Sequence, residues 1–198
     1  MPNLLEVLER PAVEVAPLLL GALLSVDDVT IRLTEVEAYL GEVDPGSHAF
    51  RGETKRTAVM YGEPGHMYTY FTYGMHVCAN VVCSPQGVAS AVLLRAGEIV
   101  EGLDLARLRR VTSRRDTDLA QGPARLCVAL GITLADGGAR LDSGRFRLQL
   151  PHAAPAFRTG PRTGVSGAGG TDEFPWRFWI DGDPTVSPYK KHVPKRSA

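Results

Sequence analysis

From residue 29 to residue 34 apolar side chains alternate with polar ones, Val29, Ile31 and Leu33 against Thr30, Arg32 and Thr34, the period of a strand with one face in a core. This strand is expected to run to Tyr39. Similar alternation marks residues 145–150 and 177–180 as strands, while 90–94 reads as a short strand buried on both faces. Residues 67–72 and 75–82 flank Tyr73-Gly74 and predict a β-hairpin with that pair at its tip. Helices are predicted over residues 4–10, 16–24 and 101–110. A fourth opens at Gly122-Pro123 and runs through Leu130, with proline in the first turn, where no N–H is needed. Residues 158–171, rich in Gly, Thr and Ser, predict a long surface loop. The elements mix without a βαβ rhythm. The expected fold is α+β: a single domain with a mixed, mainly antiparallel curved sheet, flanked by helices and carrying a protruding hairpin. No repeat or linker interrupts it, so residues 1–188 are assigned to the domain and 189–198 to a basic, flexible tail.

Composition narrows the setting. The chain has 198 residues, 44% of them hydrophobic, enough for one domain with a sizeable core. Its longest apolar run is broken by Pro17 and Gly21 and is too short to span a bilayer, and the first residues carry acids rather than a basic leader. A cytoplasmic monomer without membrane contact is the expectation. Cys78, Cys83 and Cys127 form no metal-spaced pair, which suits a reducing compartment and argues against structural zinc. Net charge is zero, but basic residues cluster at 51–56, at 107–115 and after residue 189, and such patches can either follow phosphates or simply solvate a surface.

The candidate chemistry lies on the strands. Glu37 shares the parity of Val29, Ile31 and Leu33, so it is expected on the apolar face, at a desolvation cost. It reads either as a general base or as a buried acid paired with Arg95. Glu35 shares that parity, and two carboxyls so close should push at least one pKa upward. Tyr68 and Tyr70 share one face of the hairpin. Tyr73 at the tip is either an exposed wedge or folded back on the core. His48 sits in a turn-like Asp44-Pro45-Gly46-Ser47-His48 segment. No nucleophile elbow, P-loop lysine or dinucleotide fingerprint is present, so covalent, phosphoryl and redox chemistry lose support.

The run Thr34-Glu35-Val36-Glu37-Ala38-Tyr39-Leu40-Gly41 with Asp44 and His48, the run Gly65 to His76, then Asn80 and Leu93-Leu94-Arg95-Ala96, together resemble the alkyladenine (3-methyladenine, methylpurine) DNA glycosylase family. The similarity continues through Glu101-Gly102-Leu103, Gly122 to Cys127, Gly160 to Val165 and Pro175 to Phe178. Thr57, Ile99 and Arg125 depart from the family pattern at peripheral positions. The resemblance implies an enzyme that flips alkylated or deaminated purines out of duplex DNA and hydrolyses the N-glycosidic bond. In that reading Glu37 activates water beside Arg95, Tyr39 and His48 on one side and Tyr70 on the other hold the base, Asn80 floors the pocket against guanine, and Tyr73 fills the gap in the DNA. No metal or other cofactor is implied, and no lysine stands at a matched position, which argues against a lyase step. Two other readings compete: a nucleic-acid-binding module resembling the carboxy-terminal domain of formyltransferases, and a metal-dependent hydrolase using His48, His66 and Glu37.

Overall fold

In the computed structural model, whose described residues are 3–72 and 74–192, two short helices open the chain. They are α1 (Leu4–Leu8) and α2 (Ala12–Leu18), followed by β1 (Leu23–Val26), β2 (Val29–Tyr39), β3 (Met67–Thr72), β4 (His76–Val82) and β5 (Ala91–Glu101). After these come α3 (Leu103–Arg109), α4 (Pro123–Leu130), β6 (Phe146–Gln149), β7 (Phe157–Gly160) and β8 (Arg177–Ile180). The sheet order is β3-β4-β5-β2-β1-β6, with β8 beside β2 and β7 beside β8. Among the described residues every pairing is antiparallel. The α+β architecture stands, without the mixed pairing expected.

β2 organises the sheet. One edge pairs with β5 along its length; the other pairs first with β1 (Leu23 opposite Arg32) and then with β8 (Glu37 opposite Arg177). The change of partner falls at an irregularity in the β5 register: Leu33 faces Gly97 and Glu35 faces Ala96, so Thr34 is the extra residue of a β-bulge. An inserted residue reverses the alternation. Val29, Ile31 and Leu33 lie in the main core, and beyond the bulge Val36 and Ala38 take their place. Glu35 and Glu37 consequently leave that face for the opposite one, contrary to the parity expected from the sequence. Alternation alone cannot register one extra residue.

The main core is built on the side of Val36, where α2 and α4 cover Ala79, Val81, Val92 and Leu94. Segment 41–62 closes part of the other side, with Ala49 and Met60 packed on Tyr68, Val82 and Ala91. Three elements differ from expectation. The helix expected over 16–24 instead occupies Ala12–Leu18, after which Gly21, at φ 81°, turns the chain into β1. A run buried on both sides carries no period that separates helix from strand. β5 continues past Leu94 to Glu101, because Gly97, which looks like a break, is needed for close approach: a Cβ there would lie 2.4 Å from the Arg32 carbonyl oxygen and 2.6 Å from Ile31 Cγ1. The expected surface loop 158–171 begins inside β7 and contains Arg162, which is fully buried. Among the described residues no helix is long and apolar enough to cross a membrane.

Gly97→Ala is expected to lower unfolding free energy by about 1–3 kcal/mol, the usual range for overpacking a tight site. Urea denaturation reads this, and an unchanged midpoint would mean that β2 and β5 separate freely at this point.

Candidate active site

The two acids that the bulge delivers to one face have different surroundings. Glu35 is completely buried: Oε1 accepts from Arg95 Nε at 2.8 Å and from Arg177 Nε at 2.6 Å, and Oε2 accepts from the Ser187 N–H at 2.7 Å. Burial works to raise its pKa, but the Arg95 and Arg177 guanidiniums outweigh that and hold it below the ordinary range. The expected upward push therefore fails at Glu35. Glu37, also completely buried, makes a looser contact with Arg95, Nη1 to Oε1 at 3.3 Å. Oε1 also accepts from the Thr163 N–H at 2.7 Å, and Oε2 accepts from the Tyr39 hydroxyl at 2.9 Å. A carboxylate offers about four lone-pair positions. Each acid thus keeps one, on Oε2; what separates them is that Glu35 is held by two close guanidiniums whereas Glu37 meets one, at 3.3 Å. Burial works to lower the Arg95 pKa, but the Glu37 and Glu35 carboxylates push it above its usual value.

The aromatic residues gather beside this pair. Tyr39 ends β2 with its hydroxyl turned inward, its pKa raised well above the usual value by burial and then by Glu37, so it stays protonated and donates. Tyr70 meets His48 edge-on, with centroids 4.5 Å apart and planes at 89°, and lies 5.6 Å from Tyr68. Tyr70 and His48 are therefore in direct contact and do not form parallel walls. Asn80, 4% exposed, donates from Nδ2 to the carbonyl of Tyr68, its cross-strand neighbour, at 2.9 Å. The structure thus brings together Glu37, Arg95 and Tyr39 by contact, and places His48, Tyr70 and Asn80 around Tyr68. Tyr73 lies outside the described residues; the flanking Phe71 and Met75 are exposed.

Four participants carried no role in the sequence reading. Arg162 donates to both oxygens of Asp44, the nearer contact at 2.5 Å, and lies 4.5 Å from the Tyr39 ring centroid. Arg177 and Ser187 complete the Glu35 site, and Thr163 presents a buried hydroxyl with no partner among the described residues. Apart from the Gly160-to-Val165 and Pro175-to-Phe178 matches, no local pattern marks them, because their partners stand more than a hundred positions away. The 189–198 segment is partly anchored: the Lys190 carbonyl accepts from the Gly164 N–H at 2.9 Å.

Other candidates separate from this cluster. Among the described residues no group of three His, Cys, Asp or Glu side chains is arranged to hold a metal ion, and His66 bonds the Glu63 carbonyl instead of joining His48 and Glu37. In the 107–115 basic run, Arg107 is tied to Asp104 and Asp116, Arg109 to the Ala129 carbonyl and Arg110 to the Leu119 carbonyl. α3 adds Ala106 to the core on the helical side, the face away from Glu37. A cleft of about 270 Å³ lined by Leu4, Val7, Leu18, Leu148 and Leu150 includes none of these site residues.

The Methylpurine-DNA glycosylase (MPG) family model matches residues 6–184. Two proteins named "Putative 3-methyladenine DNA glycosylase" are similar over most of their length. That of Leifsonia xyli subsp. xyli is 64% identical, covering 91% of this chain and 89% of its own; that of Streptomyces avermitilis is 55% identical, covering 96% and 93%.

Burial, and then the Arg56 guanidinium, lower the His48 pKa from 6.5 to about 4. Between those values the unfolded chain holds a proton there that the folded chain lacks, so stability falls as pH drops from about 6.5 towards 4. His48→Gln is expected to flatten that slope in denaturant midpoints taken across the window. Identical slopes in both proteins would mean that His48 is not held neutral.

Proposed function

The chain belongs to the methylpurine-DNA glycosylase family, and on that premise we propose that it removes alkylated and deaminated purines from duplex DNA by hydrolysing the N-glycosidic bond. The observation that carries this reading is the contrast between Glu35, held by two guanidiniums at 2.6 and 2.8 Å, and Glu37, which among the described residues meets one guanidinium, at 3.3 Å. A binding module has no need of a second buried acid so loosely neutralised. In the reaction, water adds to C1′ of the sugar while the C1′–N bond breaks and its electron pair leaves with the base. Glu37 takes the proton lost by the water, and its charge opposes the positive charge developing on the sugar. A cationic base such as 3-methyladenine departs neutral; hypoxanthine must also gain a proton. Arg95 orients the carboxylate from the Oε1 side and leaves Oε2 to the water.

A purine inside duplex DNA cannot reach a buried carboxylate, so the nucleotide must be flipped out. Tyr39, His48 and Tyr70 are the side chains proposed to receive the base. Because His48 and Tyr70 touch edge-on, their separation belongs to the binding step. Tyr73 is proposed as the wedge that occupies the vacated stack, supported by its position in the sequence between the exposed Phe71 and Met75 on the hairpin that links β3 and β4.

Glu37→Gln is expected to keep fold and DNA binding while lowering base release by about 10²–10⁴. Single-turnover excision of hypoxanthine measures it, and a rate within about threefold of the unaltered protein would move Glu37 to a purely structural role. Asn80, its amide held by the Tyr68 carbonyl, is proposed to fill the space that the exocyclic amine of guanine would need. Asn80→Gly should then release guanine faster from duplex DNA, with hypoxanthine release unchanged or reduced. Guanine release at the original level in a folded, active variant would remove Asn80 from base selection.

A further inference from the structure

A cation stands at the aromatic cluster where no acid neutralises it. Among the described residues Arg56 takes part in no ion pair within 4.0 Å. Its guanidinium carbon lies 5.3 Å from the centroid of Tyr70, and its Nη2 is 3.3 Å from His48 Nε2. A guanidinium can only donate, so Nε2 of the neutral imidazole is the acceptor and Nδ1 carries the hydrogen, donated to the Tyr68 hydroxyl at 3.2 Å.

The backbone that carries Arg56 is locked independently of this side chain. Thr57, 1% exposed, accepts at Oγ1 from the Thr54 N–H at 2.9 Å, and its own N–H donates to the Thr54 carbonyl at 3.0 Å. The turn is therefore fixed while the guanidinium is exposed at the rim of the cluster.

Tyr70 and His48 are two of the groups assigned above to the flipped base, so a purine stacked there lies next to this charge. A neutral purine gains from it, since ring nitrogens and an exocyclic oxygen accept hydrogen bonds from a guanidinium. A cationic purine meets like charge, and its own attraction to the Tyr70 ring is already engaged by Arg56. We propose that Arg56 is a specificity-determining residue whose charge favours neutral purine lesions over cationic ones in the Tyr70–His48 slot. This rests on the base-excision reading above.

The test is single-turnover release from duplexes carrying 7-methylguanine, which is cationic, or hypoxanthine, which is neutral, by the unaltered protein, R56Q and R56K. R56Q removes the charge but keeps a donor; R56K keeps the charge. R56Q is expected to raise the ratio of 7-methylguanine to hypoxanthine release by about two- to fivefold, the range of an exposed cation–π contact, and R56K to leave the ratio near its starting value. NMR titration of His48 supplies a readout independent of excision: its midpoint should rise from about 4 in R56Q and stay low in R56K. An unchanged ratio in R56Q, an equal change in both variants, or a stationary His48 midpoint would each overturn the proposal while leaving the excision reading intact. Release of neither base by the unaltered protein would overturn that reading, and the proposal with it.

Discussion

A fully buried guanidinium is tolerated only if every N–H finds an acceptor, and Arg162 meets that demand. Nε and Nη2 donate to the Gly169 carbonyl, Nη1 to the Ala38 carbonyl and Asp44 Oδ2, and Nη2 also to Asp44 Oδ1. These bonds join the end of β2, the segment leading to His48, and the loop after β7. The planar cation lies 4.5 Å from the Tyr39 centroid and 5.2 Å from that of Trp176. Space around it is so restricted that a Cβ on Gly46 would fall 2.4 Å from Nη2. Thr163, the next residue, donates its N–H to Glu37. One desolvated charge therefore positions both Tyr39 and a hydrogen bond to the candidate base.

The neighbouring acid works by a related principle. Glu35 collects two arginines and a backbone N–H from the 183–187 segment, so the return of the chain after β8 depends on a carboxylate in β2. Arg95 serves both acids with different nitrogens, Nε for Glu35 and Nη1 for Glu37. Sharing one cation keeps the two carboxylates compatible on one face, and the shorter contact on Glu35 leaves Glu37 the less committed of the two.

Elements with one dry and one wet face, or with clear stop signals, were legible in the sequence. The ends of β2, the hairpin strands and α4 between its glycines all match the expected bounds to within a residue. The helix placed over 16–24 failed because a run buried on all sides has no period. Gly97 and the glycines near Arg162 looked like loop composition although they mark close packing. Glu37 and Arg95 were already legible as a buried acid and its partner, while the base-binding roles proposed for Tyr39, His48, Tyr70 and Asn80 come from the family pattern. The supporting Arg162, Arg177 and Ser187 were not assigned roles, because their partnerships are long-range and depend on burial that only the folded sheet creates.

Thr34 carries a constraint of a different kind. The side of the sheet reached by each residue after it is decided by how many residues precede it, not by what they are. Substitutions between Val29 and Thr34 leave that count intact; loss of a single residue would bring Val36 and Ala38 round to the polar side and drive both glutamates into the helical core. The side on which the candidate site lies is thus set by length before it is set by identity. Descendants of this chain should hold the residue count of the segment as strictly as the apolar character of Val29, Ile31 and Leu33.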